Sequence, residues 1–184
     1  MNIYKVHEDV KNYQTICPTD ESIYDTDILE FNCLSKINAW TKSDFFVFNP
    51  KSKKSDFPHL IPGCLVVSEH AANYVGDLLE MAGELLPIRV DKEQYYILNI
   101  LECLSALNEE LTEWSYFQGT QTKNEITKYN FYTNRFSESS IFKIPQSATS
   151  IFALNGYKEP ADEFYTIYRK SKLTGLIFEE IYSF

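Results

Sequence analysis

Ile3, Tyr4 and Val6 alternate with polar residues, which predicts an opening strand over Met1 to Val6. A polar stretch follows and closes at Cys17-Pro18. Residues 19–35 are acidic and lack a period, so they predict a loop with one short strand at Ile28 to Phe31. Trp40 opens an apolar group that runs through Phe45 to Phe48, a strand ended by Asn49-Pro50. Pro58, Pro62 and Gly63 mark turns before Cys64 to Val67, a short buried strand. A helix then begins at once. Ser68 suits its N-cap, Glu69 its first turn, and Ala71, Val75, Leu78, Leu79 and Ala82 form an apolar stripe up to Gly83. Leu85 to Val90 and Tyr95 to Ile100 predict a hairpin turning through Asp91-Lys92-Glu93-Gln94.

Leu101, Leu104, Leu107, Leu111 and Trp114 recur every three or four residues, a helical period with a buried leucine face; near Ile100 the strand and helix readings overlap. Gly119 to Asn124 is polar and predicts a loop, while Ile126 to Tyr132, Ser140 to Ile144 and Ser150 to Leu154 predict short strands. From Glu159 the spacing of Phe164, Ile167, Tyr168 and Ser171 predicts a second helix, with Pro160 in its first turn and Gly175 stopping it. Leu176 to Tyr182 mixes apolar residues with Glu179 and Glu180, as a half-wet strand near a sheet edge would. Mixed strands and helices without a repeat predict a single α+β domain over residues 1–184, with a mixed or mainly antiparallel sheet and two or three helices.

A composition of 44% hydrophobic residues, with thirteen Tyr and thirteen Phe, demands a packed core and favours sheets. Charge adds a sharper constraint. The 26 acidic and 17 basic residues give a formal net charge of −9, which argues against nucleic acid or an anionic membrane as partner and permits a basic protein. No Lys or Arg lies between Lys92 and Lys123, where Glu93, Glu102, Glu109, Glu110 and Glu113 fall; a second acidic run is Asp20, Glu21, Asp25, Asp27 and Glu30. Such runs serve either as solvated faces or as docking surfaces. Met1 to Val10 lacks the apolar core of a signal peptide, and no apolar run approaches the ~18 residues of a membrane span, so a cytoplasmic protein is expected.

Candidate chemistry is sparse. Cys17, Cys33, Cys64 and Cys103 are scattered, without a CxxC pair or a His at ligand spacing, and predict reduced thiols; no metal and no cofactor is expected. Ser68-Glu69-His70 is the one cluster that suggests nucleophilic chemistry, but helix neighbours point about 100° apart and Ser68 is spent on the cap. His7 and His59 stand alone, and Glu179-Glu180 on a strand face opposite sides. Lys128-Tyr129-Asn130-Phe131 interleaves a cation with aromatics, without the Gly-aromatic pattern of an RNA-binding strand.

Four blocks carry a resemblance. They are Asp44-Phe45 with Pro62 to Glu69 and the helix after it; Glu84 to Ile88; Tyr95 to Ile100 leading into Leu101 to Leu107; and Ile141 to Ile144 with Leu173 to Phe178. In order and spacing they resemble the bacterial polymorphic-toxin immunity family eleven, first catalogued as a domain of unknown function. The resemblance covers the chain from about Trp40; residues 1–40 match loosely. Where the family often has acidic residues this chain has Ser105 and Asn108, so no role is carried to those positions. The resemblance implies a small, non-enzymatic protein that binds and neutralises a cognate toxin encoded beside it. A rigid scaffold with an interface of roughly 1,200–2,000 Å² is then expected. The expected binding surface is Glu102, Glu109, Glu110 and Glu113 with Trp114, Tyr116 and Phe117, aromatic anchors ringed by charge. The alternatives are a small-molecule-binding domain or an enzyme with an unrecognised site, and a module that self-associates through its C-terminal strand. The sequence fixes no oligomeric state.

Overall fold

The computed structural model describes every residue from Met1 to Phe184. Alternation at the N-terminus does give a strand, β1 (Asn2–Glu8), and it lies inside a four-stranded antiparallel sheet ordered β11-β1-β10-β9. It lies between β10 (Ser147–Asn155) and β11 (Leu176–Ser183), with β9 (Ile141–Ile144) beyond β10, so the two ends of the chain pair with each other. A second, five-stranded sheet is ordered β2-β3-β5-β6-β4, from β2 (Ile16–Pro18), β3 (Ser43–Val47), β4 (Leu65–Ser68), β5 (Gly83–Val90) and β6 (Glu93–Ile100). Its β3–β5 pair is parallel and the rest antiparallel. A separate hairpin joins β7 (Glu113–Tyr116) to β8 (Lys123–Lys128). With helices α1 (Glu69–Ala82) and α2 (Phe164–Lys170), the fold is α+β and mostly β. Neither helix is long and apolar enough to cross a membrane.

One core joins the two large sheets. It takes Val6 from β1, Leu65 and Val67 from β4, Ala71, Val75 and Leu79 from α1, Leu98 and Ile100 from β6, Ile151 from β10 and Phe164 and Tyr168 from α2. Helix α1 forms because Ser68 accepts from the Ala71 amide at 3.0 Å, and because the stripe predicted from its spacing, Leu78 apart, is the face that is buried. Gly83 follows in extended conformation; a side chain there would meet the Asn99 carbonyl, and β5 could not pair with β6. Asp91 and Lys92 alone make the hairpin turn, both left-handed at φ of 47° and 75°, the geometry of a two-residue type I′ turn.

Several expectations are corrected. No strand forms at Ile28 to Phe31; the segment makes two 3-10 turns, Glu21–Asp25 and Asp27–Leu29, and drops Leu29 and Phe31 into the core under the five-stranded sheet. No helix forms over Leu101 to Trp114. Its amides go to distant carbonyls instead: Leu101 and Glu102 to Ala82, Leu104 to Lys143, Asn108 to Asn130. Those non-local bonds outcompete the i to i+4 ladder, and the leucines divide, with Leu107 buried and Leu111 62% exposed. Strand β8 starts at Lys123, inside the expected loop, and ends at Lys128; Tyr129 and Phe131 beyond it are buried and stacked at 5.9 Å, not displayed for bases. The C-terminal helix is short, because Pro160 lies in a separate 3-10 turn and α2 starts only at Phe164. It ends at Lys170, and Lys172, left-handed at φ 55°, turns the chain away before Gly175.

Candidate partner-binding surfaces and the polar cleft

The segment expected to bind a partner lies along the β7–β8 hairpin. Glu109, Glu110, Glu113, Tyr116 and Phe117 are exposed there, the two aromatics by 54% and 53%. Its charge differs from the expectation. Strand β8 brings two cations across: Lys123 Nζ lies 3.2 Å from Glu109 Oε2 and Lys128 Nζ 2.9 Å from Glu113 Oε1. Lys123 also covers the Trp114 ring at 4.3 Å, so the indole is half-buried beneath an ammonium. Hydrogen bonds from Gln146 and Lys123 hold the Glu109 carboxyl below the usual carboxylate range. Glu102 lies where the chain leaves β6, half-buried, its backbone bonded to Ala82 and Lys143. The stretch without a cation in sequence is therefore supplied with cations in space.

The other acidic run keeps its charge. Asp20, Glu21, Asp25, Asp27 and Glu30 are all exposed, and none of the eight ion pairs in the molecule includes them. Asp20 and Thr26 accept from the amides of Ser22 and Ile28, which caps the two 3-10 turns and turns the remaining carboxylates outward. Hydrogen bonds from the Ser22 hydroxyl and amide hold Asp20 below the usual carboxylate range. Beside them Tyr24, Ile28, Leu34 and Ile37 are exposed by 48%, 40%, 65% and 49%. A cleft of about 330 Å³ opens between Ile28, Lys36, Ala39 and Trp40. The Trp40 indole donates to the Pro87 carbonyl at 3.0 Å, and Glu84 accepts from the Lys36 amide at 2.9 Å, so β5 holds the cleft's inner wall. The sequence named this acidic run without choosing it. What selects it is that no lysine or arginine side chain comes to pair with its carboxylates, and that is invisible before folding.

A third feature is a larger cleft of about 610 Å³ at the start of α1, lined almost wholly by polar side chains. Its centre is Asp56. Asp56 Oδ1 lies 2.7 Å from His70 Nδ1 and accepts from the Ser68 hydroxyl at 3.3 Å, while Oδ2 accepts from the Thr174 amide and hydroxyl at 2.9 and 2.8 Å. Burial pushes the Asp56 carboxyl up, but the hydrogen bonds from His70 and Thr174 outweigh it and leave it below the usual range. Ser68 and His70 thus both bond to Asp56 and not to each other, so the relay order of a nucleophile activated by histidine is not made. Sequence reasoning saw Ser68 and His70 and missed Asp56, twelve residues before Ser68 in a loop. Lys54 and Glu93 close one wall with an ion pair of 2.5 Å. The other histidines also have acidic neighbours, His7 with Glu179 at 3.1 Å and His59 with Glu8 at 3.6 Å. Glu179 and Glu180 do not converge, since Glu180 accepts from Asn2 instead. No three His, Cys, Asp or Glu side chains gather as a metal site. No family model matches the chain, and no curated protein matches it.

Proposed function

We propose that this protein is a cytoplasmic immunity protein that binds a cognate bacterial toxin and neutralises it by occlusion, without catalysis. What carries the reading is the surface of residues 20–41, where five exposed carboxylates belong to no ion pair and one of them, Asp27, lines a cleft with Ile28, Lys36 and Trp40, beside the exposed Tyr24, Leu34 and Ile37. An interface core of exposed apolar side chains inside a charged rim is the usual anatomy of a tight protein contact. The sign of the rim selects a basic partner surface, and unpaired charge speeds its capture. The resemblance of four blocks to an immunity family supplies the partner's class. The β7–β8 hairpin, with Glu109 and Glu113 paired to lysines and its aromatics Tyr116 and Phe117 exposed, takes the secondary role of an apolar contact.

The deciding experiment expresses the open reading frame adjacent to this one, alone and with this protein. Poisoning of the host by the neighbour and rescue by this chain are expected. Reversing Asp25, Asp27 and Glu30 to Lys should slow association at low salt by roughly ten-fold or more, whereas reversing Glu109, Glu110 and Glu113 should change it far less. A harmless neighbour, or poisoning that this protein leaves untouched, overturns the proposal. A second reading, small-molecule binding or chemistry, is favoured by the Asp56–His70 pair in the polar cleft. Under that reading His70→Ala abolishes the biological effect; under the first, the variant protects as well as the parent.

A further inference from the structure

Between β2 and β3 the chain crosses residues 20–41 without one backbone–backbone hydrogen bond to the rest of the molecule; the bonds of its turns, such as Glu30 to Asp27 and Ala39 to Lys36, stay within the segment. Side chains hold it to the sheets instead. Lys143 Nζ on β9 donates to the Phe31 carbonyl at 2.5 Å, and Asn99 Nδ2 on β6 to the Leu34 carbonyl at 2.8 Å. Glu84 on β5 accepts from the Ser35 hydroxyl and the Lys36 amide, and the Trp40 indole reaches the Pro87 carbonyl. Leu29 and Phe31 add apolar burial beneath the five-stranded sheet. This closed arrangement carries two costs. Lys143 is fully buried, enters no ion pair and finds a single acceptor for an ammonium with several N–H donors. An ammonium taken out of water without a carboxylate is heavily penalised, and burial accordingly pulls Lys143 below the usual lysine range. Cys33, between the Lys143 and Asn99 fastenings, is left-handed at φ 66°, a strained conformation for a residue with a Cβ.

We propose that residues 20–41 form a strap that opens as a unit while both large sheets stay folded, and that Lys143 is a charged wedge beneath it that keeps its closed state marginal. Opening lets water reach the ammonium, releases Cys33 to ordinary backbone and hydrates the Phe31 and Leu34 carbonyls; against this stands the lost burial of Leu29 and Phe31. The sheets keep their pairing, since β2 pairs with β3 and β3 with β5 through residues outside the strap. Opening also dismantles the Trp40 cleft, whose inner wall depends on the bonds of Trp40 and Lys36 to β5. A ligand of that cleft therefore selects the closed strap, and its apparent affinity falls with the fraction of molecules that are open. Replacing the wedge by an apolar side chain of similar length removes the penalty on buried charge and leaves the Phe31 carbonyl without its donor. The first effect is the larger, because a buried charge is penalised more than a buried carbonyl. The strap goes beyond toxin binding and stands whether or not a toxin is the partner.

The test is amide hydrogen exchange of the folded full chain, followed residue by residue by NMR. In the parent the bonded amides of Glu30 and Lys36 should exchange roughly a hundred-fold or more faster than those of β6, relative to their rates in free peptides. Lys143→Met should slow the Glu30 and Lys36 amides by about ten-fold and raise Tm, the opposite of what losing a stabilising hydrogen bond would do. Trp40→Phe keeps a ring in the cleft and deletes the donor to Pro87, so it should speed the same amides several-fold. Strap amides no faster than those of β6, a Lys143→Met variant that exchanges faster, melts lower or fails to fold, or a Trp40→Phe variant with unchanged exchange overturns the proposal. Should Lys143→Met not fold, the wedge is refuted, and the parent and Trp40→Phe profiles still decide whether the strap opens by itself.

Discussion

Gly175 looks in sequence like the stop of a helix, but its structural reason is a close approach. Its φ is 105°, and a Cβ there would lie 2.5 Å from the Phe57 carbonyl oxygen and 2.9 Å from Ser55. Gly175→Ala should therefore destabilise by about 2–4 kcal/mol, read as a shift in the urea midpoint, from left-handed strain and from a collision with backbone that cannot move aside. Asp56 is the other residue on which much depends. Its folded-state pKa is depressed, so its contribution is present above the unfolded value near 3.9 and is lost as pH falls through the lower folded value. Asp56→Asn should cost about 2 kcal/mol at neutral pH and flatten the acid limb of stability below roughly pH 4, measured by denaturation at several pH values. Neither role is legible one residue at a time, because Asp56 and Thr174 are far apart in sequence and touch only after folding.

The elements that the pattern located are those whose hydrogen bonds are local. Helix α1 has its cap, stripe and end within fifteen residues, Ser68 to Ala82, and it forms where the spacing placed it. The β5–β6 hairpin is likewise close to expectation, tightened to the two residues Asp91 and Lys92. Lys92 is a left-handed residue with a Cβ, so Lys92→Gly should raise stability by about 0.5–1 kcal/mol, the relief of left-handed strain exceeding the added freedom of the unfolded chain; thermal unfolding checks it. The elements that the pattern misassigned are those that pair far away. Leu101 to Asn108 lies in a stretch of helical spacing, yet the amides of Leu101, Glu102, Leu104 and Asn108 find Ala82, Lys143 and Asn130, and a propensity worth tenths of a kcal/mol per residue cannot override a set of satisfied backbone bonds.

At the scale of the molecule, the two chain ends close one sheet. Strand β11 pairs with β1 over seven register positions and covers the core through Leu176 and Phe178. Its outer edge carries Glu179 and Glu180, charges that discourage a second copy from adding to the sheet. Deleting residues 176–184 should abolish the cooperative unfolding transition, since it uncovers both β1 and the shared core; a sharp transition in the truncated chain would contradict this. By itself the sequence determined the α+β class, helix α1, the edge character of the last strand and the overall acidity. These depend on local periodicity, caps and counts, which survive without knowledge of neighbours. Tertiary structure alone decided which acidic run stays unpaired, that Asp56 joins Ser68 and His70, and that the Lys143 ammonium is buried against the Phe31 carbonyl. Each of those is a contact between segments far apart in the chain, and Coulomb interactions and hydrogen bonds act on distance in space, which residue spacing does not encode.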